Sequence, residues 1–306
     1  MQTTNSVFLV RPANFGYNVE TAVSNVFQNK MSEKEEVIQS KVLKEFDAFT
    51  STLRSKGVNV FVFDDTPTPV KPDAIFPNNW ISLHSNGKVI LYPMCTPNRR
   101  IERRQDIIDS LAKKFNIAEV IDLSGSEADN KFMEGTGSIV FDHTNRIAYA
   151  CLSPRTDKDV FLKVCSILQY KPVYFYSRDK SGKEIYHTNV VMCIGKGFAV
   201  ICLESITDKK ERENVVEMLT GTGNQIIDIS FEQMVSFAGN MLAIRSNDGK
   251  ELLVMSQTSY DSLTKNQRET LEKFCELVPL SINTIETIGG GSARCMIAEI
   301  FLQPIN

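Results

Sequence analysis

Three residues of this chain are of types that could do covalent chemistry together: Cys295, His187 and Glu134. Cys295 follows the glycine run Ile288-Gly289-Gly290-Gly291-Ser292-Ala293-Arg294 and opens an apolar segment. A cysteine attacks as its thiolate, a minor species at neutral pH for an unperturbed thiol of pKa near roughly 8.5, so it needs a proton shuttle and a polarising neighbour. An imidazole such as His187 is the natural shuttle, and a carboxylate such as Glu134 would orient the ring or hold a substrate. Taken singly, each residue has an ordinary explanation, and a cysteine followed by Met-Ile-Ala is typical of a core. Their joint placement in a repeat is what points to a site.

The elements that must carry these residues recur along the chain. Residues 80–83 and 88–92 read as strands joined by a turn at Ser85-Asn86-Gly87, followed by a helix over 99–115. The same order returns with strands at 137–141 and 147–151 and a helix over 156–168. It returns again with strands at 189–194 and 198–202 and a helix over 209–219, then with strands at 240–244 and 251–255 and a helix over 264–277. A fifth copy opens at 294–301. Equivalent strand starts at 79, 137, 189, 240 and 293 are 58, 52, 51 and 53 residues apart, a period regular enough to mark a repeat architecture. The fifth copy lacks its second strand and helix, and the strands at 7–10 and 58–63 with the helical region over 33–53 supply that material. A repeat completed by joining the two ends predicts a closed ring without free edges. The expectation is one α/β domain spanning 1–306, a five-bladed α/β propeller whose equivalent strand starts, Asn79, Gly137, Asn189, Asn240 and the Cys295 neighbourhood, converge on the pseudo-symmetry axis.

Composition excludes several classes. The net charge is −3 from 34 basic and 37 acidic residues, with no basic block, so nucleic acid is not an expected partner. The polar N-terminus is unlike a signal peptide, and the apolar stretch 190–203 is broken by Gly195-Lys196-Gly197, so no membrane span is expected. Seven cysteines without a C-x-x-C pair read as buried free thiols of a reducing cytoplasm. Spacings of His, Cys, Asp and Glu suggest no metal site, and the strings Gly135-Thr136-Gly137, Gly221-Thr222-Gly223 and Gly289-Gly290-Gly291 lack the remainder of a phosphate-binding loop, so no cofactor is expected. They read as tight turns. His84 and His143 fall at hairpin turns and read as solvent-exposed. Self-association into a homo-oligomer is left open.

Met133-Glu134-Gly135-Thr136-Gly137, Tyr186-His187-Thr188-Asn189 and the glycine run before Cys295 resemble, in order, the signature elements of the guanidine-modifying enzyme superfamily, which includes arginine deiminases, dimethylarginine dimethylaminohydrolases and amidinotransferases. The resemblance covers nearly the whole chain. It implies the five-bladed propeller (pentein) fold and attack of a cysteine on the central carbon of a guanidino or ureido group, with Cys295 as nucleophile, His187 as general acid/base and Glu134 as its carboxylate partner. By the same resemblance, Asp73 in Pro72-Asp73-x-x-Phe76-x-x-Asn79 meets a substrate α-amino group, and Arg155 in Ser153-Pro154-Arg155-Thr156 takes its α-carboxylate.

The chain departs from the family where deiminases usually place carboxylates that grip the guanidinium: here stand Asn79 and Asn189. Removing one member of a buried ion pair costs about 3–5 kcal/mol, so a buried cation is a poor fit to two amides. A neutral ureido group suits them, because an amide both donates and accepts. The sequence therefore reads as similar to the citrulline hydrolases, with L-citrulline split to ornithine, ammonia and carbon dioxide. The alternative within the same class is an arginine or other guanidino deiminase or dihydrolase; the alternative outside it is a noncatalytic propeller that works by binding, like the ribosomal anti-association factors of the same fold.

Overall fold

The computed structural model describes residues 1–305 except Ser24 and Val26. Two parallel strands, β1 (Ser6–Arg11) and β2 (Asn59–Asp64), are joined through a long helix, α1 (Glu35–Ser55). Ile38, Val42, Phe46, Phe49 and Leu53 recur at three- and four-residue spacing along α1 and are all buried, the stripe that binds a helix to a sheet. They share a hydrophobic cluster with Val7, Leu9 and, from the far end of the chain, Cys295 and Ile297.

Four sheets of one pattern follow. β3 (Ile81–Leu83), β4 (Lys88–Leu91) and β5 (Glu119–Asp122) form the first, with the helix α2 (Gln105–Ala112) between β4 and β5. β6 (Val140–Asp142), β7 (Ile147–Cys151) and β8 (Lys171–Phe175) form the second, with α3 (Lys158–Leu168) before β8. β9 (Met192–Ile194), β10 (Phe198–Ile201) and β11 (Gln225–Asp228) form the third, with α4 (Lys209–Gly221) before β11. β12 (Leu242–Arg245), β13 (Glu251–Ser256) and β14 (Glu276–Leu280) form the fourth, with α5 (Lys265–Leu271) before β14. In each, the first two strands are antiparallel and the third is parallel to the second. The last strand, β15 (Ala298–Glu299), returns to pair antiparallel with β1, Phe8 opposite Ala298, so the two ends of the chain complete a fifth sheet of the same pattern. The fold is thus mixed α/β, built from five three-stranded sheets.

The helix starts are set locally. Asp157 accepts from the N–H groups of Asp159 and Val160 ahead of α3, Asp208 from those of Lys210 and Glu211 ahead of α4, and Thr264 with Gln267 forms a reciprocal capping box at α5; each cap satisfies donors that the first turn leaves orphaned.

Several sequence expectations are corrected. The third strands of the four internal sheets, β5, β8, β11 and β14, are not among the expected strands; β5 and β11 are largely exposed and lack an apolar run, whereas the strand expected at 58–63 is present as β2. The helix expected to 277 stops at Leu271, and Pro279 lies in a strand instead, at an edge position where its missing N–H costs nothing. The helix expected over 99–115 is interrupted after Arg100 and resumes at Gln105, which lets Arg99 and Glu102 turn inward as a bidentate pair at 2.9 and 2.8 Å. Strand starts at 137, 189 and 294 are instead single turns ahead of shorter strands: Gly135–Ser138 precedes β6 and Thr188–Val191 precedes β9. These turns are stitched to one another, Thr136 Oγ1 donating to Asn78 O at 3.3 Å, Thr188 Oγ1 to Ser138 O at 2.6 Å and Asn240 Nδ2 to Asn189 O at 2.9 Å.

His84 and His143 are not the exposed turn residues expected. His84 is 5% exposed, with Nε2 at 2.7 Å from Ser82 Oγ and its ring edge-on to Phe141; His143 is half-buried, stacked on Phe141 and against Phe301. Burial pushes the His84 imidazole down to about 3. Its folded value is below the unfolded value of 6.5, so the unfolded chain binds more protons as pH falls through 6.5, and stability is lost in that direction. Between pH 7 and pH 5 the wild type should lose about 2 kcal/mol more than His84→Gln in urea denaturation; parallel pH profiles for the two proteins would show that the buried imidazole titrates normally.

Candidate active site

Glu134 precedes the Gly135–Ser138 turn and is completely buried. Its Oε2 lies 2.7 Å from His187 Nε2 and accepts from Arg155 Nη1 at 3.3 Å, while Oε1 accepts the Cys95 N–H at 3.1 Å. Burial alone would raise the carboxyl; the Arg155 guanidinium and the His187 hydrogen bond, aided by Arg99, overcome it and hold Glu134 below its ordinary range. An ionised carboxylate only accepts, so His187 Nε2 carries the proton. Burial lowers the His187 imidazole against the pull of Glu134, which leaves Nδ1 as its basic nitrogen at neutral pH.

Gly137 explains why the turn must be glycine here: a Cβ would lie 2.5 Å from Asn79 Nδ2 and 2.8 Å from His187 Nδ1. Gly135 has φ +47 and its Cβ would meet Asn78 O at 2.2 Å, so no side chain is accommodated at either end of the pair.

Cys295 is buried at the end of the Ser292–Cys295 turn. Two amides reach its sulfur, Asn189 Nδ2 at 3.4 Å and Asn240 Nδ2 at 3.3 Å. The preceding loop is fixed from below by Glu286, which accepts from Ser292 Oγ at 2.5 Å and Thr258 Oγ1 at 2.8 Å. From above, Asn25 and Gln28 donate to the carbonyls of Gly289 and Gly290, and Tyr186 Oη donates to Gly290 O at 3.1 Å.

Asn79 and Asn189 have opposite orientations. Arg99 Nη1 donates to Asn79 Oδ1 at 2.8 Å, and since a guanidinium only donates, this fixes which end of the amide is oxygen. Among the described residues, Asn79 Nδ2 is then a buried donor without a partner and Asn189 Oδ1 a buried acceptor without one. Asp73 Oδ2 accepts from Asn18 Nδ2 at 2.7 Å and Thr21 Oγ1 at 3.2 Å, and Oδ1 has no hydrogen bond. Burial raises Asp73 despite Arg99 at 3.7 Å. Arg155, 2% exposed, spans Glu134 and Thr21 O and lies over the Tyr186 ring at 4.8 Å.

All seven residues singled out from the sequence are therefore brought together: Asp73, Asn79, Arg155, His187 and Cys295 line one cavity, Glu134 lies behind His187, and Asn189 touches Cys295. Sequence reasoning missed Arg99, Tyr186 and the segment with Thr21 and Asn25, which also line it, and gave Asn240 no role. Asn240 carried a signal, its repeat position; the others carried none.

The family profile described as N,N dimethylarginine dimethylhydrolase, eukaryotic, matches residues 11–302. No curated protein matches significantly. Among solved structures, the cyanobacterial arginine dihydrolase ArgZ matches with TM-score 0.74 and 18% identity over 98% of this chain and 41% of that one, so the chain spans less than half of full-length ArgZ. Its substrate-bound N-terminal domain matches with TM-score 0.73 and 18% identity, 97% of this chain and 99% of that domain being covered. The DDAH of Pseudomonas aeruginosa complexed with citrulline matches with TM-score 0.66 and 15% identity over 98% of this chain and 100% of that one. At these identities the structures establish a shared fold; the profile establishes kinship, and the chain belongs to the dimethylarginine dimethylhydrolase family within the guanidine-modifying superfamily. The family takes its name from a hydrolase.

Glu134→Gln should cost about 3–5 kcal/mol of stability at pH 7, because it leaves buried Arg155 without its counter-charge. Urea midpoints check this; a loss below about 1 kcal/mol would mean that the carboxylate does not balance the guanidinium.

Proposed function

We propose that this protein hydrolyses the ureido group of L-citrulline to ornithine, ammonia and carbon dioxide. One observation carries the reading: the orphan pair at Asn79 and Asn189, one donor and one acceptor. A ureido group presents a carbonyl that needs a donor and an NH2 that needs an acceptor. A guanidinium, dimethylated or not, presents N–H groups and positive charge, and would set N–H against Asn79 Nδ2 with the Arg99 guanidinium 2.8 Å behind the same amide.

The reading assigns the residues as follows. Cys295 Sγ adds to the ureido carbon, and the carbonyl electron pair moves onto oxygen, where Asn79 Nδ2 donates to it. Collapse breaks a C–N bond as His187, recharged with the thiol proton, protonates the departing nitrogen. A carbamoyl thioester remains. His187 then takes a proton from water, whose oxygen displaces Sγ; the carbamic acid released falls to carbon dioxide and an amine, balancing one ureido group and one water against two amines and carbon dioxide. Asp73 Oδ1, buried and without a hydrogen bond among the described residues, meets the α-ammonium, and Arg155 the α-carboxylate.

We also read the five sheets as blades of a closed propeller forming a single catalytic domain over 1–306, the stitched turns lying on its axis and the Leu83–Ile300 bridge joining the first blade to the last. Seven free cysteines, six of them buried, suit a reducing cytoplasm.

A second reading, an arginine dihydrolase, is favoured by the fold shared with ArgZ. Incubation with each amino acid separates them: ornithine and ammonia from citrulline with arginine inert are expected, and arginine turnover with inert citrulline would overturn the proposal. Asn79→Asp with Asn189→Asp should lower kcat/KM for citrulline by on the order of 100-fold, as expected when an oxyanion donor is removed. Unchanged citrulline kinetics would count against the amide pair.

A further inference from the structure

A second cavity, of about 520 Å3, lies among the hairpin tips, a volume within the range of small-molecule sites. It shares no lining residue with the candidate active site. β3 leads from the Asn79 turn to His84, and β6 from the Gly135–Ser138 turn to His143, so the two cavities sit at opposite ends of the same short strands.

Its wall is positively charged. Arg146 and Arg245 line it, and none of the described lining residues is an aspartate or glutamate. Arg245 is half-buried at the end of β12, and its side chain makes no hydrogen bond or ion pair among the described residues. Glu251 faces it across the ladder but accepts from Thr3 Oγ1 at 2.9 Å instead. Arg146 is held in place, Nε and Nη2 donating to Gln169 O at 3.3 Å and Leu168 O at 3.0 Å, with the guanidinium 5.6 Å above the Tyr170 ring. Its Nη1 is left over. Two imidazoles complete the polar wall: His84 Nε2 bonds Ser82 and His143 Nδ1 bonds Tyr170 Oη at 2.9 Å, leaving His84 Nδ1 and His143 Nε2 unused among the described residues. Half-buried Tyr170 and Phe301 supply apolar surface.

A half-enclosed guanidinium without a carboxylate is left uncompensated unless an anion takes the place, and its planar fork matches the oxygens of carboxylate and phosphate. We propose that this cavity binds a small metabolite-sized oxyanion, a carboxylate or a phosphate, through Arg245 and Arg146, with the imidazoles and Tyr170 completing the site. This goes beyond the reading of the active site and does not depend on it.

Isothermal titration of the full chain with sodium phosphate and, separately, sodium benzoate, each at ionic strength fixed with sodium chloride, tests the assignment. Saturable one-to-one binding of at least one probe is expected, weakened tenfold or more in Arg245→Gln and less in Arg245→Lys, which keeps the charge and guards against a folding artefact. Binding of phosphate alone assigns a phosphate ligand; binding of benzoate alone assigns a carboxylate with an apolar body. Absence of saturable binding with both probes overturns the proposal. So does binding that survives Arg245→Gln but disappears in Arg155→Lys, which would place the anion in the other cavity.

Discussion

The buried charge of Glu134 is the constraint on which the rest of the site depends. A carboxylate cannot stay ionised in an apolar interior without partners, and here three chain segments supply them: the loop after β4 through the Cys95 N–H, the loop after β7 through Arg155, and the loop before β9 through His187. Each partner is thereby fixed in turn. The imidazole is pinned by one nitrogen, Nε2, and Arg155 is drawn into the wall of the cavity. Gly135 and Gly137 are the steric counterpart, since any side chain there would push into Asn78, Asn79 or His187.

Around that centre the five sheets share one connectivity but divide the work. The turns ahead of β3, β6, β9, β12 and β15 bring, respectively, Asn79, Glu134, His187 with Asn189, Asn240, and Cys295. Repetition fixes where such residues can meet; the identity of each residue fixes what happens there. The amide orientations are an example of how remote groups decide chemistry, because Arg99, held by Glu102, leaves Asn79 with only its donor to offer. Burial raises Glu102 to about 7 even against Arg99, a measure of how dry this wall is.

The same strands that adjoin the stitched turns begin or finish in hairpins that carry buried residues. His84 and His143, which look like turn residues, are packed against Phe141 and Phe301 because the chain's last residues fold back across the hairpin tips. That closure leaves a cavity with cations on its wall, while Thr21 and Asn25 line the candidate active-site cavity.

The sequence by itself determined the repeat, the joining of the chain ends and the set Cys295, His187, Glu134, Asn79 and Asn189, because these rest on local periodicity and on residue type, which any unfolded chain already contains. The tertiary structure decided the third strand of each of the four internal sheets, of which β5 and β11 are largely exposed and carry no apolar run, and the break that turns Arg99 inward. It also decided which atom of the Asn79 amide is left to the cavity, since that orientation is set by a guanidinium twenty residues away in sequence, a contact that exists only once the chain is folded.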